Sequence, residues 1–271
     1  MNETEPGAPE PTACERCGDF AELVDYDGHQ ICEGCIGRLS EIERTPLTLG
    51  NVLAGSLWVL ARVGLPAALI VALADLPMAL IEVLVPDLPA ILSTAYGATV
   101  SVVAQGVVLY LAHRAIRGER LDVGAAVRQA GDSVFNLVGS NFLASLQVFL
   151  YALLLVVPGI VRGLSLTLAL PIAVNEDQAP MDALNASAAR MKGHRLTAFF
   201  AYLAWGSVWM VAFAAYIAFT IALDTPGALP MSESLAMVVL VISGVLMPVL
   251  MIPVVCTTAV LYAKTLRYRA A

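Results

Sequence analysis

Four cysteines in "CERCGDFAELVDYDGHQICEGC", residues 14–35, have the residue type and spacing for metal chemistry. Cys14 and Cys17, then Cys32 and Cys35, read C-x2-C-x14-C-x2-C. A two-residue gap lets both sulfurs of a pair reach one ion, and four thiolates close a tetrahedral zinc shell. With no open coordination position, such a site is structural rather than catalytic. Gly18 gives backbone freedom after the first pair. Asp27-Gly28, between two short runs, predicts a type I′ hairpin turn. The expectation is a β-hairpin zinc ribbon over residues 13–45. The same spacing also admits iron or two disulfides, the latter only in an oxidising compartment. His29 reads as a polar hairpin residue, because four thiolates already fill the shell. Cys256, alone in an apolar run, reads as a small buried residue.

A second set of residues carries charge where the chain is oily. Asp75 falls near the middle of an apolar run, and Glu82 lies seven residues on, on about the same face. Arg162 sits just past a Pro-Gly turn at a similar depth. A buried intramembrane charge costs about 2.5–3.5 kcal/mol on insertion scales, so each is a candidate site residue. One reading pairs Glu82 with Arg162 and has Asp75 line a polar pocket. The other lets Glu82 and Arg162 snorkel to headgroups, with Gln105 or Ser101 satisfying Asp75. Gly97, Ser101 and Gln105 recur every four residues, the spacing of a close helix–helix approach.

These residues need positioning elements, and composition says what kind. The chain of 271 residues is 59% hydrophobic and 14% charged. Its mean hydropathy is +0.78, so a bilayer is the expected solvent. Residues 1–45 hold eleven acids against Arg16, Arg38 and Arg44, a charge of −8, and the remainder carries +1. An acidic front end argues against nucleic-acid binding, which needs clustered Lys and Arg. Residues 1–12, rich in Pro, Glu and Thr, read as a disordered lead-in. No basic start and apolar core of a secretory signal is visible in the first 45 residues.

A hydrocarbon core about 30 Å thick needs about 20 apolar residues per helix. Runs at 64–85, 90–112, 196–223 and 235–263 qualify. Residues 141–174 are apolar but interrupted at Pro158-Gly159. Charge decides how that stretch runs. A hairpin there puts every Lys and Arg except Arg162 on one side, as the positive-inside rule requires. The opposite loops, 86–89 and 224–234, contain neither residue type. Residues 46–267 are therefore expected to form an all-α, six-segment membrane domain with both termini cytoplasmic. The hairpin arms of roughly sixteen and fifteen residues are short for full spans, which leaves a re-entrant hairpin open.

Segments 47–62, 122–139 and 180–193 are expected as amphipathic helices in the interface plane, each ahead of a span that starts near a glycine. They imply a threefold repeat of interfacial helix plus hairpin. In the last, Pro180 suits a helix start, and Met181, Leu184, Ala188 and Met191 fall on one face. Pro248 and Pro253 predict a kink in the final span, or packing around it.

Residues 156–200, "VVPGIVRGLSLTLALPIAVNEDQAPMDALNASAARMKGHRLTAFF", carry a resemblance. Pro158-Gly159, Pro171, the acidic bend Asn175-Glu176-Asp177, Ala183-Leu184 with Ser187, and Lys192-Gly193 are similar to the membrane domain associated with glycerophosphoryl diester phosphodiesterases and to related bacterial six-helix proteins. "RAIRGERLDVGAAVRQA" resembles a linker of the same group. The resemblance covers about residues 46–267 and implies a six-span helical fold in a bacterial plasma membrane, without an activity. The N-terminal ribbon departs from the simplest pattern of that group.

No Gly-x-Ser-x-Gly, phosphate loop or His-Glu-x-x-His is present, and His113 and His194 border basic stretches where headgroup contact is expected. The expected function is a non-catalytic membrane scaffold or lipid-associated interaction protein, its zinc ribbon docking a cytosolic protein. The alternative is a small transporter or channel subunit using Asp75, Glu82 and Arg162. A membrane-embedded lipid enzyme ranks last.

Overall fold

A computed structural model of the chain describes residues 23–26, 29–32, 42, 45–85, 90–224 and 249–266. The side chains of 23–32, 82–83, 90, 216 and 219–224 lie outside that description. The described body is helical. Its elements are α1 (Leu49–Leu84), α2 (Ala90–Tyr96), a π-helical turn (Gly97–Ser101), α3 (Val102–Ile116), α4 (Val123–Asp132) and α5 (Val134–Leu154). Then follow α6 (Val156–Leu166), α7 (Ala169–Glu176), α8 (Pro180–Arg190), α9 (Arg195–Asp224) and α10 (Ile252–Thr265). Ahead of the body, β1 (Leu23–Tyr26) and β2 (His29–Cys32) pair antiparallel, Leu23 opposite Cys32 and Tyr26 opposite His29.

Among the described residues, five stretches are long and apolar enough to cross a membrane: Leu49–Ile81, Ile91–Ile116, Val134–Leu154, Val156–Glu176 and Arg195–Ala215. The chain is a multi-pass membrane protein. Its outer surface says the same. Leu84, Ile91, Phe135, Leu154 and Val211 are each more than 70% exposed, and helices apolar all round belong in lipid. The sixth expected segment is described only from residue 249, through α10.

The first span differs from its expectation. Residues 47–62 are not a separate interfacial helix. Thr48 caps a single helix of 36 residues that runs through Gly64 and Pro66 to Leu84. The reason is packing. Val52, Ser56, Val59, Val63, Ala67 and Val71 form one buried stripe across the expected boundary, and α10 lies along that helix. At 1.5 Å per residue, α1 is about 54 Å long, well beyond a 30 Å core.

Turn-back of the 141–174 stretch is observed, three residues earlier than expected. Leu155 alone is extended (φ −163°, ψ 142°) between α5 and α6. Pro158 then sits in the first turn of α6, where helix N–H groups lack partners anyway. Gly159 allows the arms to touch: a Cβ there would lie 2.9 Å from Ala152 Cα. Each arm has 21 residues and reaches spanning length, longer than the sequence implied, because helix continues to Val134 at one end and resumes as α7 at the other.

Of the other two expected interfacial helices, 122–139 ends early, at Asp132, and its last residues belong to α5. Asp122 caps α4 by accepting from Ala125 N–H at 3.0 Å. Pro180 begins α8 as expected, but the buried face is Ala183, Leu184, Ser187 and Arg190, with Met181 at 52% exposed. Of the expected face, Leu184 and Met191 are buried and Met181 is not, and the bonded Ser187 and Arg190 share the buried side. The repeat unit of short helix before span therefore occurs before α5 and α9 and not at the front. Gly97 makes no close helix approach, whereas Gly106 does: a Cβ on it would meet the Leu137 side chain at 2.7 Å, while one on Gly97 would meet nothing within 4 Å. Pro253 stands in the first turn of α10, and Pro248 lies outside the described residues.

Candidate functional site

Two polar centres occupy the helical body. The first lies between apolar helices of spanning length. Asp75 comes from α1, and Ser101 closes the π-helical turn on the facing rod. Ser101 Oγ donates to Asp75 Oδ1 at 2.8 Å, and Tyr96 Oη donates to the Ala74 carbonyl beside it. A π-turn adds a residue to the helix and re-aims the side chains after it, a feature frequent at functional sites. Asp75, Ser101 and Gln105 line a cavity of about 240 Å³ walled by Val71, Val108, Ile252 and Val255. The two readings of Asp75 are thus both present: Ser101 satisfies it, and it lines a pocket. A carboxylate, a hydroxyl and an amide in an apolar wall can hold a proton or a small cationic group.

Arg162 on α6 is engaged across the hairpin. Its Nε donates to Gln147 Oε1 at 3.0 Å, and its guanidinium stands 5.8 Å from the Tyr151 ring. Glu82 lies on α1 with its side chain outside the described residues, as does the Glu82 half of the expected Glu82–Arg162 pair.

The second centre gathers connectors between the helices, and the sequence marked its Glu176, Asp177 and Ser187 only as carriers of a resemblance, not as a site. Glu176 ends α7, Arg190 ends α8, and Tyr262 comes from α10. Arg190 meets the Glu176 carboxylate with both terminal nitrogens, at 2.7 and 2.9 Å, and Tyr262 Oη donates to Glu176 Oε1 at 2.9 Å. The side chains of the ion pair are only 7% and 10% exposed. Burial alone would lower the Arg190 pKa, but hydrogen bonding and charge from Glu176 more than offset it, and the guanidinium stays charged.

Around that pair, neighbouring residues close the backbone. Asp177, left-handed at φ 49°, ends α7 and accepts from Ser133 Oγ and Asn136 Nδ2 at 3.2 and 3.0 Å. Gln129 Nε2 donates to the Val174 carbonyl at 3.1 Å. Ser187 Oγ bridges the gap between α6 and α7, accepting from Leu168 N–H at 3.0 Å and donating to the Ser165 carbonyl at 2.8 Å. The one available signal was the acidic bend followed by an arginine on the next helix.

Lys264, fully buried near the end of α10, secures the entry to the body. Its ammonium donates to the carbonyls of Ile42 and Thr45 at 3.0 and 3.1 Å and to Thr45 Oγ1 at 2.5 Å. In sequence it was only one more basic residue in the last connector. The Cys14, Cys17 and Cys35 positions lie outside the described residues, and Cys32 ends β2 with its side chain undescribed.

Comparison of the chain with protein-family models, with curated proteins and with solved structures finds no match.

Proposed function

We propose that the chain is a non-catalytic, multi-pass membrane protein that presents a zinc ribbon to the cytosol as a docking module. The observation that carries this reading is the Lys264 clamp. It fastens Ile42 and Thr45, which lie between ribbon and helices in the sequence, to the last helix of the body, and so gives a module ahead of them a fixed root. Zinc is the expected ion for Cys14, Cys17, Cys32 and Cys35. The antiparallel register of β1 and β2 supports it, because folding the spacer back on itself is what a ribbon needs to bring two cysteine pairs together. Zinc would supply folding energy to the module and no chemistry. Termini in the cytosol follow from the distribution of Lys and Arg, and that compartment keeps thiols reduced for metal. The acidic bend and helix at 175–193 support kinship with the phosphodiesterase-associated membrane domain, and its residues Glu176, Asp177 and Ser187 make the connector bonds.

The test uses the full chain in native membranes, with a photo-cross-linking residue at Glu22. One zinc per chain and a discrete cross-linked protein, both lost in Cys32→Ser, are expected. Chains without zinc, or cross-links unchanged by the substitution, would overturn the docking role.

The Asp75 cavity favours a second reading, a small transporter or channel subunit. Solute-dependent flux in liposomes that disappears in Asp75→Asn would promote it over docking.

A further inference from the structure

We infer that the groove between the first half of α1 and the turn after α3 is a binding site for the headgroup of an anionic phospholipid. The inference deepens the lipid-associated part of the proposed function by naming the lipid class and the site. The groove has a volume of about 440 Å³ and is lined by Trp58 and Arg62 of α1, by Arg117 and Gly118 opposite, and by Ile42 and Thr45 of the entry segment. Gly118, at φ +70°, turns the chain away from α3, and a Cβ on it would meet nothing within 4 Å, so the mouth stays open. The Arg62 guanidinium stands over the Trp58 ring, its carbon 4.0 Å from the centroid.

Among the described residues, the positive charge in the groove is unmatched. Arg114, one turn before Arg117, is paired with Glu119 at 2.7 Å. Arg62 and Arg117 have no carboxylate partner among the described residues. Two arginines beside an apolar wall suit a phosphodiester, which accepts planar guanidinium donors.

Depth and continuity identify the phosphate as a lipid's. α1 exceeds the hydrocarbon thickness, so its first turns stand in the headgroup layer, where Trp and Arg belong. Along one face of α1, at intervals of four, three and four residues, run Trp58, Arg62, Leu65 and Leu69. Leu65 and Leu69 are 75% and 56% exposed. The stripe passes from a cationic, aromatic head to a bare apolar track, which matches a headgroup with an acyl chain below it. A soluble anion or the acidic N-terminal segment would leave Leu65 and Leu69 uncovered. Basic pockets between spans are known headgroup sites in general.

The full chain in phosphatidylcholine nanodiscs, titrated with phosphatidylglycerol, tests this by retained lipid in native mass spectrometry and by thermal stabilisation. Wild type should bind phosphatidylglycerol saturably. Arg62→Gln with Arg117→Gln should weaken it about tenfold or more, as two lost arginines near an anionic surface imply. Trp58→Leu, at an exposed position, should weaken it without touching either charge, and serves if the double variant does not fold. Arg120→Gln with Arg128→Gln, matched in charge, should leave it unchanged. Equal loss in that control, no preference over phosphatidylcholine, or equal stabilisation by inorganic phosphate would each overturn the site. Zinc content and the cross-link from residue 22 do not depend on these outcomes, so lipid site and docking module fail separately.

Discussion

Arg190 and Glu176 face each other end on, two nitrogens against two oxygens at 2.7 and 2.9 Å, with both side chains almost closed to solvent. The pair joins the last turns of α7 and α8, and Tyr262 brings α10 to the same carboxylate. Two consecutive helices and a third element 86 positions further along the chain converge on one ion pair. Removing either partner strands a buried charge, which costs about 3–5 kcal/mol. Arg190→Met or Glu176→Gln alone should therefore lower the thermal unfolding midpoint sharply in detergent. Glu176→Leu combined with Arg190→Met should recover most of the loss, because a well-packed apolar pair removes the stranded charge. A double variant as unstable as the worse single one would refute this account.

Lys264 works differently, since its partners are mainly backbone carbonyls that stay behind when it is removed. Hydrogen bonds to a charged group contribute about 1.5–3 kcal/mol, and Lys264→Met forfeits them while keeping the stem's bulk. The entry segment should open locally with the body intact. Tryptic cleavage after Arg44 should speed up about tenfold or more, with little change in helix content by circular dichroism. Cleavage at the wild-type rate would show that other contacts hold residues 42–46.

Glycines in the hairpin separate contact from mere helical preference. A Cβ at Gly159 would lie 2.8 Å from Ala152 Cβ and 2.9 Å from its Cα, so backbone must move. At Gly163 the nearest atom is Val148 Cγ2 at 3.7 Å, ordinary contact. Gly159→Ala should cost about 1–3 kcal/mol as overpacking, whereas Gly163→Ala should be neutral or slightly stabilising through helix propensity. Unfolding midpoints of the two variants, measured side by side, check the difference; equal values would place the arms further apart than described.

Legibility followed length scale. The spans were readable because hydrocarbon thickness sets a minimum apolar run, and the hairpin because arginines flank 141–174 on both sides and the positive-inside rule favours bringing such flanks together. Fusion of 47–62 with the first span was not readable: Gly64 and Pro66 look like a boundary locally, while the stripe from Val52 to Val71 that overrides them is defined by packing against α3, α9 and α10. Likewise, Asp75 was recognisable as costly in lipid, and Ser101 as a partner within reach. Tyr262 and Glu176 lie 86 positions apart, and nothing local to either residue announces the other.

Asp75 allows its structural and functional roles to be separated by substitutions that differ in one property each. Ser101 Oγ donates to Asp75 Oδ1, and an asparagine side-chain oxygen can accept the same bond without the charge. Asp75→Asn should thus fold with close to wild-type stability. Asp75→Leu removes the acceptor, leaves the Ser101 hydroxyl facing an apolar wall, and should cost about 1–3 kcal/mol. Ser101→Ala in the Asp75→Leu background should then add little, because the stranded group is gone. The measurement is a double-mutant cycle on unfolding midpoints. If Asp75→Asn proves as damaging as Asp75→Leu, the charge itself holds something in the cavity that the hydrogen bond does not explain, and the transport reading gains what the packing role loses.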